Sequence, residues 1–147
     1  MTCLSTSDCR AVGFSGNVNR TLVASWDGRA WSAGASANAS EAQANQLAGV
    51  ACASAADCWA VGRYFNGVAT QTLILHWNGQ AWLQAVAPNT SVSTFNQLYG
   101  VTCVSAADCW AVGYADGFTA LIVTGMEPRG TLSNRRRQAA EPTSCSA

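Results

Sequence analysis

Short apolar runs, rather than long amphipathic stripes, organise this chain. Leu98 to Cys103, Cys109 to Tyr114 and Thr72 to Trp77 each span six residues bounded by polar or Gly-containing stretches. Runs of that length predict β-strands. TLILHW, at 72–77, is also rich in side chains that suit a pleated surface. S-A-A-D at 105–108 predicts the turn between the first two, with Ser and Asp available to bind loop amides. Asn78-Gly79 predicts a hairpin after the third, because both turn positions tolerate positive φ, and Asp27-Gly28 is its counterpart. Gln80 to Val86 is the expected fourth strand. Pro88 and the polar run Asn89 to Thr94 end the unit. Ala-rich Ala33 to Ala48 offers at most a short turn.

This pattern recurs, and internal periodicity constrains a fold more than any single element. Three C-x5-C pairs, Cys3/Cys9, Cys52/Cys58 and Cys103/Cys109, start 49 and 51 residues apart. Each encloses S-x-x-D (Ser5 to Asp8, Ser54 to Asp57, Ser105 to Asp108), and Ala-Val-Gly follows at 11–13, 60–62 and 111–113. SWDGRAW at 25–31 matches HWNGQAW at 76–82, and NQLAGV at 45–50 matches NQLYGV at 96–101. Four antiparallel strands in about 50 residues is the size of a propeller blade. A β-sandwich or a stacked β-solenoid is the alternative. A sandwich would not need near-identical strands at this spacing, and a solenoid coil is usually shorter. The expected fold is therefore all-β, a propeller-like array of four-stranded antiparallel blades. Its units are 1–49, 50–100, a partial third at 101–125 and a tail at 126–147.

The pattern L-x-G-V-x-C-x-S-x-x-D-C-W-A-V-G followed by W-[ND]-G-x-x-W resembles the cysteine-containing, kelch-like β-propeller repeats of secreted bacterial proteins, many of them actinobacterial. The resemblance covers residues 1 to about 123. It implies a repeat scaffold and a secreted setting, and no specific activity. The S-x-D-x-G-x-T-W box of sialidase-type propellers is absent, so no sialidase residues are carried over.

The third unit departs from the pattern. After Thr119 to Val123 the chain reads Thr124-Gly125-Met126-Glu127-Pro128, with no Trp and no Asn-Gly. About two and a half blades are expected, whereas closed propellers use 4–8. Three readings follow: a piece of a longer propeller, closure by assembly with other copies, or an open arc with exposed edges and an uncovered face.

Composition narrows the function classes. Of 147 residues, 49% are hydrophobic and 11% charged, so a packed core is expected and wholesale disorder is not. Eight Arg balance eight acids, with no Lys, so no net field recruits nucleic acid. Four Arg and two Glu fall in 126–147, which is poor in apolar residues and reads as a disordered tail. No apolar run reaches the ~18 residues of a membrane span. No basic-then-apolar signal opens the sequence, so an export signal is expected to lie outside it.

Seven cysteines raise metal or redox chemistry. Five residues between paired cysteines exceed the usual zinc spacing, and there is one His. A C-x5-C pair across a blade's first turn sets two sulfurs opposite each other, so Cys3–Cys9, Cys52–Cys58 and Cys103–Cys109 are expected as disulfides. Buried thiols and metal ligation are the alternatives. Disulfides imply an oxidising, extracellular or cell-surface location. Cys145 is left over.

Trp26, Trp31, Trp59, Trp77, Trp82 and Trp110 sit at repeat positions, which favours packing between blades over a sugar-stacking row. His76 aligns with Ser25, so the repeat does not require it, and no Ser/His/Asp set assembles. Asp8, Asp57 and Asp108 read as turn residues. Asn19, Asn38 and Asn89 lie in N-x-[ST] sequons. No catalytic residue, metal site or cofactor is expected.

In an up-and-down blade the C-x5-C and Asn-Gly turns share one edge. The opposite edge carries FSGNVNR, RYFNGVATQ and YADGFT, which differ between units. Variation on a constant frame marks binding loops. Phe14, Arg63, Tyr64, Phe65, Tyr114, Asp116 and Phe118 are the candidate contacts, to a protein or a carbohydrate. The expected function is a binding or scaffold module, with self-association through open blade edges as a further expectation. The competing class is a non-catalytic piece of a propeller glycan hydrolase or lyase, its active site in other blades.

Overall fold

A computed structural model of the chain describes residues 1–116, 119–124 and 126. Among these the chain is all-β, with eleven strands in three antiparallel sheets. Sheet 1 contains β1 (Thr2–Ser5), β2 (Asp8–Ser15), β3 (Arg20–Trp26) and β4 (Trp31–Gly34). Sheet 2 contains β5 (Asn45–Ser54), β6 (Asp57–Phe65), β7 (Thr70–Trp77) and β8 (Trp82–Gln84). Sheet 3 contains β9 (Asn96–Ser105), β10 (Asp108–Ala115) and β11 (Thr119–Thr124). Strand order follows chain order in every sheet, so each is a meander. Phe118 and the expected tail lie outside the described residues, apart from Met126, which is buried against sheet 3.

The strand register explains why the repeat is built as it is. Cys52 pairs with Cys58 and Cys58 with Trp77, and Trp77 pairs with Trp82. Paired residues point to the same face, so one face carries the disulfide, Ala60, Leu73, Leu75 and both Trp of the WNGQAW block. The other face carries Trp59, Val61 and Ile74. Sheets 2 and 3 each lay their cysteine face on the opposite face of the sheet before, which carries Arg10, Val12 and Val23 in sheet 1. Leu98, Cys109, Ala111, Leu121 and Val123 of sheet 3 cluster with Trp59, Val61 and Ile74 of sheet 2. Leu47, Cys58, Ala60, Leu73 and Leu75 of sheet 2 cluster in the same way with Val12 and Val23 of sheet 1.

All three disulfides are formed: Cys3–Cys9 at 2.06 Å, Cys52–Cys58 at 2.02 Å and Cys103–Cys109 at 2.08 Å. Each closes a loop of about seven residues, worth about 2.4 kcal/mol in the chain-entropy account. They are compatible with an oxidising location.

Two turn expectations change. The W-[ND]-G-x-x-W connection is a four-residue loop, since Trp77 pairs directly with Trp82 and Trp26 with Trp31. Only the glycines take positive φ, Gly28 at 93° and Gly79 at 91°. Asn78 Oδ1 instead accepts the amides of Gln80 and Ala81 at 3.0 and 2.9 Å, and Asp27 Oδ1 accepts those of Arg29 and Ala30. A side chain that captures two amides stabilises the wider loop. In the C-x5-C turn, Ser54 Oγ accepts the Ala56 amide, but the Asp carboxylates bind no loop amide. They receive side chains instead: Arg10 on Asp8, His76 on Asp57 and Trp110 on Asp108. The two turns do share an edge. Trp26 Nε1 donates to Thr6 O at 3.1 Å and Trp77 Nε1 to Ala55 O at 3.0 Å.

The glycine of Ala-Val-Gly is demanded by backbone crossing. A Cβ on Gly62 would meet Gln46 O at 2.0 Å, and one on Gly113 would meet Gln97 O at 1.8 Å. Both lie beside a register shift in the first strand of their sheet. Gly13 is equivalent in sequence, but β1 pairs with β2 only as far as Thr2–Arg10, and nothing approaches Gly13 within 4 Å. Gly62→Ala and Gly113→Ala should each cost roughly 2 kcal/mol or more in denaturant unfolding, and Gly13→Ala less than about 0.5. Equal costs at all three positions would refute the crossing as the cause.

The two four-residue loops differ in the side chain that captures the amides, a carboxylate in Asp27 and a carboxamide in Asn78. Hydrogen bonds from the Ala30 and then the Arg29 amide hold the Asp27 carboxyl below its ordinary value of 3.8. A depressed carboxylate stabilises the fold above its unfolded value, and that support is lost as pH falls through the folded value. Acidification below about 3.8 should therefore move the Arg29 and Ala30 amide resonances and leave those of Gln80 and Ala81, held by Asn78, in place.

Candidate functional site

The edge opposite the disulfide turns is assembled by side-chain amides. Asn45 and Asn96 open the NQL marker and are fully buried. Asn45 Oδ1 accepts the Ala39 and Ser40 amides, while its Nδ2 donates to Ser40 O and Gln43 O. Asn96 does the same for the next connection, accepting from Thr90 and donating to Ser91 O and Thr94 O. Asn38 and Asn89, two of the sequon residues, cap Thr21 and Thr72: Asn89 Oδ1 accepts the Thr72 amide at 2.9 Å and its hydroxyl at 3.0 Å. Four asparagines thus satisfy backbone groups that the 35–44 and 85–95 connections would otherwise leave unpaired.

The variable residues stand on this frame. Phe14, Arg63 and Tyr114 occupy one repeat position, one residue after the Ala-Val-Gly glycine. Phe14 is exposed near the end of β2. Arg63 bridges two sheets: Nε and Nη2 donate to Gln46 Oε1 at 2.9 and 2.7 Å, and Nη1 donates to Gln97 Oε1 at 2.9 Å. Tyr114 stacks on Phe95 with ring centroids 5.2 Å apart and lies 5.5 Å from Tyr99. A hydrogen bond to Tyr114 raises the Tyr99 phenol above its ordinary value of 10.0.

The other candidates lie nearby. Tyr64 borders a shallow cleft of about 300 Å³ with Thr72, Gln84, Ala85, Val86, Ala87 and Asn89. The Phe65 amide donates to Ala44 O, and at the equivalent position the Asp116 amide donates to Phe95 O, both at 2.9 Å. Asp116 takes a positive φ of 29°, and its Oδ2 accepts the Thr90 hydroxyl at 2.6 Å. Phe118 lies outside the described residues. Arg63 and Tyr114 therefore fall in one cluster, Asp116 and Phe65 tie their turns to the connections, and Phe14 stands apart on sheet 1.

Sequence reasoning missed Gln46, Gln97, Tyr99 and Phe95. The available signal was the NQL marker itself, and the replacement of Ala48 by Tyr99 inside it. His76 is a packed residue: its Nε2 lies 3.0 Å from Asp57 Oδ1 and its ring 4.3 Å from that of Trp59. With Asp57 engaged, the buried Trp59 Nε1 has no partner, whereas Trp110 Nε1 finds Asp108 at 2.6 Å. Among the described residues no three His, Cys, Asp or Glu converge as a metal set, and no helix is long and apolar enough to cross a membrane.

Comparison with family models, curated proteins and solved structures returned no match.

Replacing Arg63 by Met keeps its stem and removes three donors from Gln46 and the buried Gln97. A buried amide oxygen left without its partner costs about 1–3 kcal/mol. Arg63→Met should lower unfolding free energy by that amount, while Phe14→Met, which breaks no such bond, should leave it within about 0.5 kcal/mol.

Proposed function

We propose that this chain is a propeller-like repeat module of a secreted or cell-surface bacterial protein, and that it binds carbohydrate through the edge carrying Arg63, Tyr114 and Asp116. The radial arrangement is supported by the convergence of the first strands. A Cβ on Gly49 of β5 would meet Tyr99 O at 3.0 Å and Gly100 Cα at 3.3 Å, while the later strands are separated by a side-chain core. The resemblance of the repeat motif to secreted kelch-like propellers and the three disulfides favour the location.

One observation carries the ligand class. Phe95, Tyr99 and Tyr114 present aromatic rings beside a guanidinium and two side-chain amides, on a frame where the same repeat position is Phe, Arg or Tyr. Flat apolar faces bordered by planar donors suit the apolar faces and hydroxyls of a sugar ring. The reading is non-enzymatic.

A glycan array probed with the purified full chain should retain a defined set of glycans. Tyr114→Ala should weaken that binding about tenfold or more without shifting the unfolding midpoint by more than a few degrees, and Asp57→Asn, on the far edge, should leave it unchanged. Retention of no glycan would overturn the carbohydrate assignment and turn the search to a protein ligand.

A further inference from the structure

Identical side chains at equivalent positions differ sharply in exposure, and the differences pair up. Trp59, Val61 and Ile74 of sheet 2 are at most 1% exposed beneath the cysteine face of sheet 3. Their equivalents Trp110, Val112 and Ile122 are 45%, 52% and 41% exposed. The register places them together, since Val112 pairs with Ile122 and Trp110 with Thr124. At the other end of the chain the cysteine face of sheet 1 is the one left open. Trp31 is 46% exposed, against 6% for its equivalent Trp82 in the core between sheets 1 and 2. Leu22 and Ala24 beside it are half-buried, whereas Leu73 and Leu75 are fully buried.

We infer that the Trp110-Val112-Ile122 face of one copy seats the Trp31-Leu22-Ala24 face of a second copy, head to tail, and that the contact closes at two copies. The occupant is identified by the contact the chain already makes. Trp-Val-Ile receives a cysteine face within the molecule, and the free cysteine face belongs to sheet 1, which cannot reach sheet 3 of its own chain across sheet 2. The Trp31-Leu22-Ala24 face carries one charge at its margin, Arg20, which is paired with Glu41, and the Trp110-Val112-Ile122 face carries Asp108, which accepts the Trp110 indole. Exposed apolar patches of this kind mark association surfaces. A head-to-tail contact either closes or runs on as a filament. Closed propellers hold 4–8 sheets, and the three sheets among the described residues come to six in two copies and nine in three. Closure at two copies rests on the propeller-like arrangement proposed above. Tyr114 lies at the margin of this face, two residues beyond Val112, where the docked sheet is thinner: β1 has four residues where β5 and β9 have ten, so it supplies no counterpart of Gln46 or Gln97.

The test is sedimentation equilibrium of the full chain carrying Cys145→Ser, which excludes a tail disulfide. The expected result is a concentration-dependent species of twice the 15.3 kDa chain mass. Val112→Glu and, separately, Trp31→Glu should each weaken association on the order of 100-fold or more by burying an unpaired carboxylate. Mixing the two variants should restore association, because each supplies the intact face the other lacks. Ile122→Glu and Ala24→Glu form a second pair with the same expectation. A monomer up to about 100 μM, association insensitive to Trp31→Glu, or growth beyond two copies would each overturn the proposal. Glycan retention by the Val112→Glu variant separates this contact from the ligand edge, whose failure is read independently with Tyr114→Ala.

Discussion

The structure depends on the seating of the cysteine faces of sheets 2 and 3 on the opposite face of the sheet before. A single four-stranded meander has two broad faces and too little material to bury either. Stacking resolves this by making the two faces unlike. One is flat and small-featured, with a disulfide, Ala60 or Ala111, and Leu or Val on the third strand. The other is bulky, and projects Trp59, Val61 and Ile74 into that shallow surface. The disulfide helps twice. It staples the first turn, and it replaces two thiols with a compact apolar bridge at the base of the interface, where Cys58 and Cys109 are fully buried.

The same asymmetry leaves sequence variation away from the motif that defines the repeat. The C-x5-C and W-[ND]-G-x-x-W turns are locked together by indole hydrogen bonds from Trp26 and Trp77, which leaves that edge little freedom to diversify. At the opposite edge the frame is held from inside by Asn45 and Asn96, which satisfy the connections through their amides. The variable residues above them carry no structural duty in common: Phe14 is exposed, Arg63 bridges two sheets and Tyr114 stacks on Phe95. Phe14, Arg63 and Tyr114 can therefore differ at one position without disturbing the sheets.

Much of this was legible in the chain. Short apolar runs located the strands, and the recurrence of C-x5-C located the bridges, because both are short-range patterns. The expected Asn-Gly hairpin was misjudged because Asn78 acts through its side chain: two captured amides outweigh the preference of the dipeptide for a two-residue turn. The Asp of S-x-x-D was assigned to loop amides, whereas its carboxylate takes a side chain on the same face: the residue two along its own strand, Arg10 or Trp110, in two units, and His76 of the neighbouring strand in the other. Gln46 and Gln97 were passed over as part of a marker, although Arg63 joins them across two sheets.

By itself the sequence determined the repeat, the strand order within each unit, the pairing of six cysteines and the edge where copies diverge. All of these follow from short apolar runs, turn chemistry and the recurrence of motifs 49 and 51 residues apart. Tertiary structure decided the fate of residues that are identical in the sequence. Trp59 is core and Trp110 is surface, Trp82 is core and Trp31 is surface, and Gly62 is indispensable where Gly13 is free. Each outcome depends on whether a neighbouring sheet or strand lies alongside. That is a long-range property, and the residues of one repeat cannot encode it.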